Sequence, residues 1–223
     1  MYKIVKDEQI LKEFIEWLPE LKEDEVYYVC LFARGKYNPE VKSSIKLKRF
    51  TSDKSRLLSK LKQLECNIGA YNYKDKPIPN DALVAYIHPN PRSFKKATKR
   101  ALVKFANLIA DESKGYNPHQ IVLSEIQKAK SSTRYIDFDF DDIGEDRIKE
   151  IIIEIEKICG KQTYLKTRGG MHVLVDVESV TGNKSFYTRI TSLGCDVSGD
   201  NMIPIPGTLQ GDFIPHFIGE KHE

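Results

Sequence analysis

Arg134-Tyr135-Ile136-Asp137-Phe138-Asp139-Phe140-Asp141-Asp142 is the stretch on which the reading of this chain turns. Apolar and acidic residues alternate with the period of a β-strand, whose successive side chains point to opposite faces. Ile136, Phe138 and Phe140 then enter a core, while Tyr135, Asp137, Asp139 and Asp141 share the other face. With a rise of about 3.3 Å per residue, the Cα atoms of Asp137 and Asp139 sit roughly 7 Å apart. Carboxylates so close repel each other, and positive charge between them relieves the repulsion. Two hard divalent cations, Mg²⁺ or Mn²⁺, about 3.5–4 Å apart meet that need and suit phosphoryl transfer. The plainer alternative is the acidic, solvent-facing side of an edge strand.

Other acid-rich sites fit the letters less well. An EF-hand loop begun at Asp137 would need Gly at its sixth position and Glu at its twelfth, where Asp142 and Ile148 stand. A haloacid-dehalogenase-like phosphatase would carry Thr or Val in place of Asp141. A nucleotide-sugar transferase with a DxD motif accounts for the acids but not for the motif that follows.

Downstream, the pattern predicts a helix over 145–158 ended by Gly160, a strand over 163–167, a second strand over 171–177 and a helix over 183–194. The order strand–helix–strand–strand–helix–strand resembles a split βαβ arrangement with antiparallel pairs. Its central turn is Thr167-Arg168-Gly169-Gly170-Met171-His172. The glycines let the backbone approach a ligand closely and expose N–H groups to an anion. Past the turn, His172, Leu174 and Asp176 share one face, and Met171, Val173, Val175 and Val177 the other. An imidazole beside Thr167 and Arg168 offers donors to a triphosphate. By itself the turn reads equally well as an ordinary hairpin with a satisfied histidine.

Upstream, the periodicity predicts a helix over 7–18 stopped by Pro19, strands over 26–34 and 43–50, and a helix from Ser52 or Asp53 to about Glu65. A strand over 81–89 and a long helix from Ser93 to about Ile109 follow; Gly115 closes this half, and a helix near 118–129 bridges to the next. The expected organisation is α+β in two units, 1–115 and 116–223, sharing a cleft.

Bulk properties narrow the classes. About 40% apolar residues suffice for a core, and 30% charged residues argue for a soluble, cytoplasmic protein. No apolar run reaches the ~18 residues of a membrane span, and the opening MYKIVKDEQILKEF lacks the features of a secretory signal. Cys30, Cys66, Cys159 and Cys195 lie far apart, as reduced thiols do, and form neither a disulfide frame nor a zinc motif. The net charge of +3 is small, but it is unevenly spread. One basic cluster runs from Lys42 to Lys62 and another from Arg92 to Lys104, while acids gather at 137–146. Such a division suits phosphates held near metal, or else a solvated lysine-rich surface. Tyr71 and Tyr73 offer rings for base stacking, or simply belong to a core.

Taken together, the motifs resemble those of the archaeo-eukaryotic primase superfamily, in the order hydrophobic-DxD, Ser/Thr-x-x-Gly-x-His and a later hydrophobic-Asp. Tyr135 to Asp139 match the first, and Thr167, Gly170 and His172 match the second, with Arg168 where a glycine is frequent. Cys195-Asp196 is chosen for the third because Ile205-Pro206-Gly207-Thr208-Leu209-Gln210 follows, similar to a stretch downstream of it in primase–polymerases. Ile203 and Gln210 depart from the Arg and Asn of that stretch, and Asp200 and Asp176 remain alternatives to Asp196. Residues 32–37 and 90–93 resemble the primase–polymerases associated with CRISPR loci.

The resemblance implies an N-terminal α/β unit packed on an RRM-like unit with the site between them. It implies template-directed primase or polymerase activity on a DNA template and primer, with dNTP or NTP substrates and two Mg²⁺ or Mn²⁺ ions on Asp137, Asp139 and Asp196. Thr167, Arg168, Gly170 and His172 would bind the incoming triphosphate, and Arg34, Lys36 and Arg92 would reach the triphosphate or the template backbone. The core would be monomeric, with CRISPR adaptation proteins or attached domains as its partners. A non-catalytic RRM-like nucleic-acid-binding module is the other alternative, although MHVLVDV (171–177) lacks the aromatics by which such modules stack bases.

Overall fold

The computed structural model describes residues 1–110, 117–197 and 200–219; the expected boundary at residues 115 and 116 lies outside the described residues. In chain order come α1 (Glu8–Trp17), β1 (Glu25–Ala33), β2 (Ile45–Ser52), α2 (Lys54–Lys62), β3 (Asn72–Tyr73), β4 (Lys76–Pro77), β5 (Leu83–Ile87), β6 (Arg92–Ser93) and α3 (Phe94–Ala110). Then follow α4 (Pro118–Lys128), β7 (Tyr135–Asp141), α5 (Glu145–Cys159), β8 (Thr163–Lys166), β9 (Gly170–Asp176), α6 (Phe186–Thr191), β10 (Asp196–Val197), β11 (Ile203–Pro204) and β12 (His216–Phe217). The architecture is mixed α+β.

Local chemistry explains the boundaries. The Asp7 side chain accepts from the backbone N–H groups of Gln9 and Ile10 and so caps α1, and Asp53 caps α2 by accepting from Arg56 N–H. Gly160, at φ +74°, ends α5 in a conformation that other residues adopt only at a cost. The helix expected over 183–194 shortens to α6, because turns take up its ends.

Two five-stranded antiparallel sheets result, beside the two-stranded hairpin of β3 and β4. The first has the order β11-β5-β1-β2, with β6 beside β1; the second has the order β10-β7-β9-β8-β12. In the second sheet, β7 and β8 are joined through α5, and β9 lies between them. Phe138, Phe140, Met171, Val173 and Val175 fill one face against Ile148, Ile151 and Ile155 of α5 and Ile190 of α6. The alternation of β7 is thus the one its letters dictate. On the opposite face, Tyr135, Leu165, Leu174 and Phe217 join Leu11 and Phe14 of α1 and the inner face of the first sheet in a common core. Each such buried side chain contributes about 1.5–3 kcal/mol.

Two segments after residue 116 pack with the first sheet. Helix α4, expected as a bridge, packs with α3 on the first sheet, its Leu123 and Ile126 meeting Tyr28 and Cys30. The chain also returns to the first sheet near its end: β11 pairs with β5, Val84 with Gln210 and Val5 with Thr208. Ile203 and Ile205 thereby enter the common core.

Two contacts fix β7 against the first sheet and α1. The Asn90 side chain accepts from Arg134 N–H (2.8 Å) and Tyr135 N–H (2.9 Å) and donates to Tyr135 C=O (2.8 Å). The Trp17 ring stacks on Tyr135 at 4.5 Å between centroids. Among the described residues, no helix is long and apolar enough to cross a membrane.

Candidate functional site

The face of the second sheet that carries Tyr135 and Leu174 is dry at one end and acidic at the other. Asp137 lies opposite Leu174, Asp139 opposite His172 and Asp141 opposite Gly170. Across the next ladder, Asp196 of β10 stands opposite Asp139. Partners directly opposite in an antiparallel pair share a face, so Asp196, Asp139 and His172 form one row over three strands.

His172 is buried, and its Nδ1–H donates to both carboxylate oxygens of Asp137 at 2.9 and 3.2 Å, with an Asp139 oxygen 3.6 Å away. Burial disfavours the charged ring, but Asp137, helped by Asp139 and Asp141, outweighs it and lifts the imidazole pKa to about 9. Asp139 moves the opposite way from most paired acids. Burial pushes its carboxyl up to about 6, His172 and Lys36 pull it back, and Asp141 and Asp137 push it further.

Only one of the three candidates for a third carboxylate joins this row. Asp196 is exposed and faces Asp139. Asp176 lies four residues along β9 from His172, roughly 13 Å at strand rise, and binds Arg134 at 2.6 Å. Asp200 is held by Arg92.

Arg92 itself is a correction. Expected at a triphosphate or template, it is fully buried, and its Nη1 and Nη2 donate to Asp200 at 2.7 and 2.9 Å. Pairing of β6 with the start of β1 turns this side chain inward, and burial of the guanidinium requires a charged partner.

Arg34 and Lys36, just beyond β1, do reach the cleft and line it opposite Asp139 and Asp141. The Arg34 guanidinium lies 5.6 Å from the Tyr86 ring centroid, and Lys36 Nζ lies 5.5 Å from that of Tyr37. Arg168 sits over the other side of the entrance, 5.5 Å from the Tyr37 ring, with its Nε–H donating to Asp212 at 2.6 Å. Buried Gln210 joins the two sides: its Oε1 accepts from Arg168 N–H, and its Nε2–H donates to Tyr37 Oη, both at 2.9 Å. Thr167 is buried in the cleft wall. Lys166 points to the other face and pairs with Glu145 at 2.8 Å.

Gly170 has a packing reason that the sequence does not display. A Cβ there would stand 1.8 Å from the Phe140 carbonyl oxygen, so only glycine lets β9 lie this close to β7. Tyr86, Asn201 and Met202 line the cleft and escaped the sequence reading, because they come from the first sheet and the segment leading into β11 and carry no motif; Tyr37, in the turn after β1, joins them at the rim. Tyr71, by contrast, is core.

The cleft encloses about 170 Å³. That is below the roughly 300–1,000 Å³ of sites that engulf a whole small molecule. A larger depression of about 530 Å³ lies away from the acids, between Glu40–Lys42 and the β3–β4 hairpin.

The acids match divalent cations in kind, being carboxylate oxygens on one face of the sheet. Among the described residues, no three His, Cys, Asp or Glu side chains are drawn together as a ready ligand set. Asp137 would have to share itself between His172 and an ion. No family model matches this chain, and neither a curated protein nor a solved structure matches it.

Proposed function

We propose that this chain is a template-directed nucleotidyltransferase, a DNA primase or polymerase, built as an α/β unit on an RRM-like unit. The observation that carries the reading is the row Asp196–Asp139–His172, with Asp137 behind it, facing Arg34 and Lys36 across a cleft between two sheets. The connectivity of β7 to β10, with β9 inserted between β7 and β8, supports the RRM-like description.

Asp137, Asp139 and Asp196 would hold two divalent ions, Mg²⁺ or Mn²⁺, which when bound neutralise charge on the attacking and leaving oxygens. Arg34 and Lys36 supply cationic donors on the opposite side, and Arg168, paired with Asp212, stands at the entrance, suited to the phosphates of an incoming dNTP or NTP. Thr167 adds a hydroxyl from the turn between β8 and β9, and Gln210 holds the backbone of Arg168 in place. His172 fixes the carboxylate of Asp137 and adds positive charge behind the acids. The small cleft would seat the triphosphate and leave the base outside, where a template strand can pair with it. Participation in CRISPR-associated DNA synthesis is part of the same proposal and stands on the resemblance of residues 32–37 and 90–93 alone.

One observation favours a second reading. Asp137 is already satisfied by His172, as in a binding module that has no need of metal. A single assay separates the two. The chain is given template and labelled nucleotides, with and without primer, with each nucleotide set, and with Mn²⁺ or EDTA. Nucleotidyl transfer predicts product ladders that vanish with EDTA and with Asp137→Asn/Asp139→Asn. Extension by that double variant would end the proposal.

A further inference from the structure

The first sheet has one face buried in the core along β1 and β5 and one that is only half covered. Val29, Leu31, Ala85 and Ile87 point into the common core. On the other face, α3 and α4 cover Tyr28 and Cys30, while Phe32 beyond them is half-buried and Lys46 is exposed. The ladder register connects this open part to the cleft. Lys46 lies opposite Phe32, Phe32 opposite Val84, and Val84 bridges to Gln210. In the neighbouring row, Arg49 lies opposite Cys30 and Cys30 opposite Tyr86. Strands about 4.8 Å apart place Lys46 roughly 15 Å from Gln210, and Arg49 roughly 10 Å from Tyr86.

Arg49 is held in place. Its Nη1–H donates to Ser124 Oγ at 3.0 Å, and its Nη2–H donates to Gln120, both on α4. With Lys46, Leu47 and Gln120 it lines a depression of about 340 Å³ whose lining contains two cations and no acid. The half-buried Phe32 ring lies between this depression and the cleft, edge-on to Tyr86 at 5.6 Å.

We propose that this trough is the track of one single nucleic-acid strand entering the cleft, with phosphates at Lys46 and Arg49 and a base against Phe32. The inference rests on the nucleotidyl-transfer reading and names the path of its polymer. A basic groove with an aromatic ring beside it binds single strands through phosphate neutralisation and sequence-tolerant stacking. The larger depression by the β3–β4 hairpin also has lysines, but it includes Glu40, and no strand register joins it to the acids.

The test is fluorescence anisotropy of a labelled oligothymidylate on the whole chain, without divalent ion or nucleotide, over a range of salt. Lys46→Glu is expected to weaken binding about tenfold and to reduce the slope of log K against log salt by about 0.7 or more. Phe32→Leu, which keeps apolar bulk but removes the ring, should cost about fivefold with the salt slope unchanged. Lys74→Glu/Lys76→Glu, on the hairpin, should bind within about twofold of the parent, since its lysines lie off the strand's path. Unchanged binding by Lys46→Glu, a larger loss in the hairpin variant, or displacement of the oligonucleotide by polyglutamate of equal charge would overturn the proposal. Oligonucleotide binding through Lys46 in a chain that never incorporates nucleotides would leave the track standing and remove polymerase activity. Primer extension that is indifferent to Lys46→Glu would do the reverse.

Discussion

Asp196 stands directly across the β10–β7 ladder from Asp139, although 57 residues separate them in the chain. The relationship distinguishes Asp196 from Asp176, which is bound to Arg134, and from Asp200, which neutralises a buried arginine. Three carboxylates that look alike in sequence thus have three different surroundings.

Substitution separates the three. Asp196→Asn is expected to lower nucleotide incorporation by two orders of magnitude or more with an unchanged urea midpoint, because its side chain is exposed. Asp200→Asn should cost about 3 kcal/mol of stability, since it strands the fully buried Arg92 charge. Asp176→Asn should do little to either, within about 1 kcal/mol, its partner being part-exposed. Parallel extension assays and urea titrations check all three.

Asp137 and Asp139 should part company in stability even where both abolish activity. Asp137→Asn leaves the buried His172 without its counter-charge and is expected to cost about 1–3 kcal/mol. Asp139→Asn removes one of several crowded negative charges and should be neutral or stabilising. A lower melting temperature for Asp139→Asn than for Asp137→Asn would contradict the geometry described above.

Gly170→Ala tests the close approach of β9 to β7. The added methyl would meet the Phe140 carbonyl at 1.8 Å, so the strands must separate at the acidic end. A loss of about 3 kcal/mol or failure to fold is expected, measured by thermal unfolding. Gly169→Ala, with its nearest contact at 3.7 Å, should be far milder.

Acid sensitivity should come partly from His88. It is buried beside Tyr28, Arg92 and Asp200, with the backbone of Asp200 and Asn201 against its ring. Burial and then the Arg92 charge lower its pKa from 6.5 to about 3, against a smaller opposing pull from Asp200. The unfolded chain therefore takes up a proton below pH 6.5 that the folded chain refuses until about pH 3. Stability unaffected by this group above that window falls through it by at most about 1.4 kcal/mol per pH unit. His88→Leu should flatten the dependence of the urea midpoint on pH between 6.5 and 4. An unchanged slope would remove His88 as its source.

Residues 134–142 declare a strand and its two faces without help, because alternation along a pleated backbone is a purely local property. The helices around it are equally legible from caps and spacing, as Asp7, Asp53 and Gly160 illustrate. What no local pattern contained is what lies across each residue. His172 beside Asp137, Asp200 beside Arg92 and Gln210 between Arg168 and Tyr37 are pairings over 35, 108, 42 and 173 residues of chain. The return of Ile203–Pro204 to the first sheet and the half-open face beside Phe32 belong to the same class. Sequence alone determined the longer elements and the shared face of the acids, since these follow from periods of 2 and 3.6 residues. Tertiary structure decided which charges are buried, which are paired and which remain available, because desolvation and ion pairing depend on neighbours that only packing of the two sheets brings together.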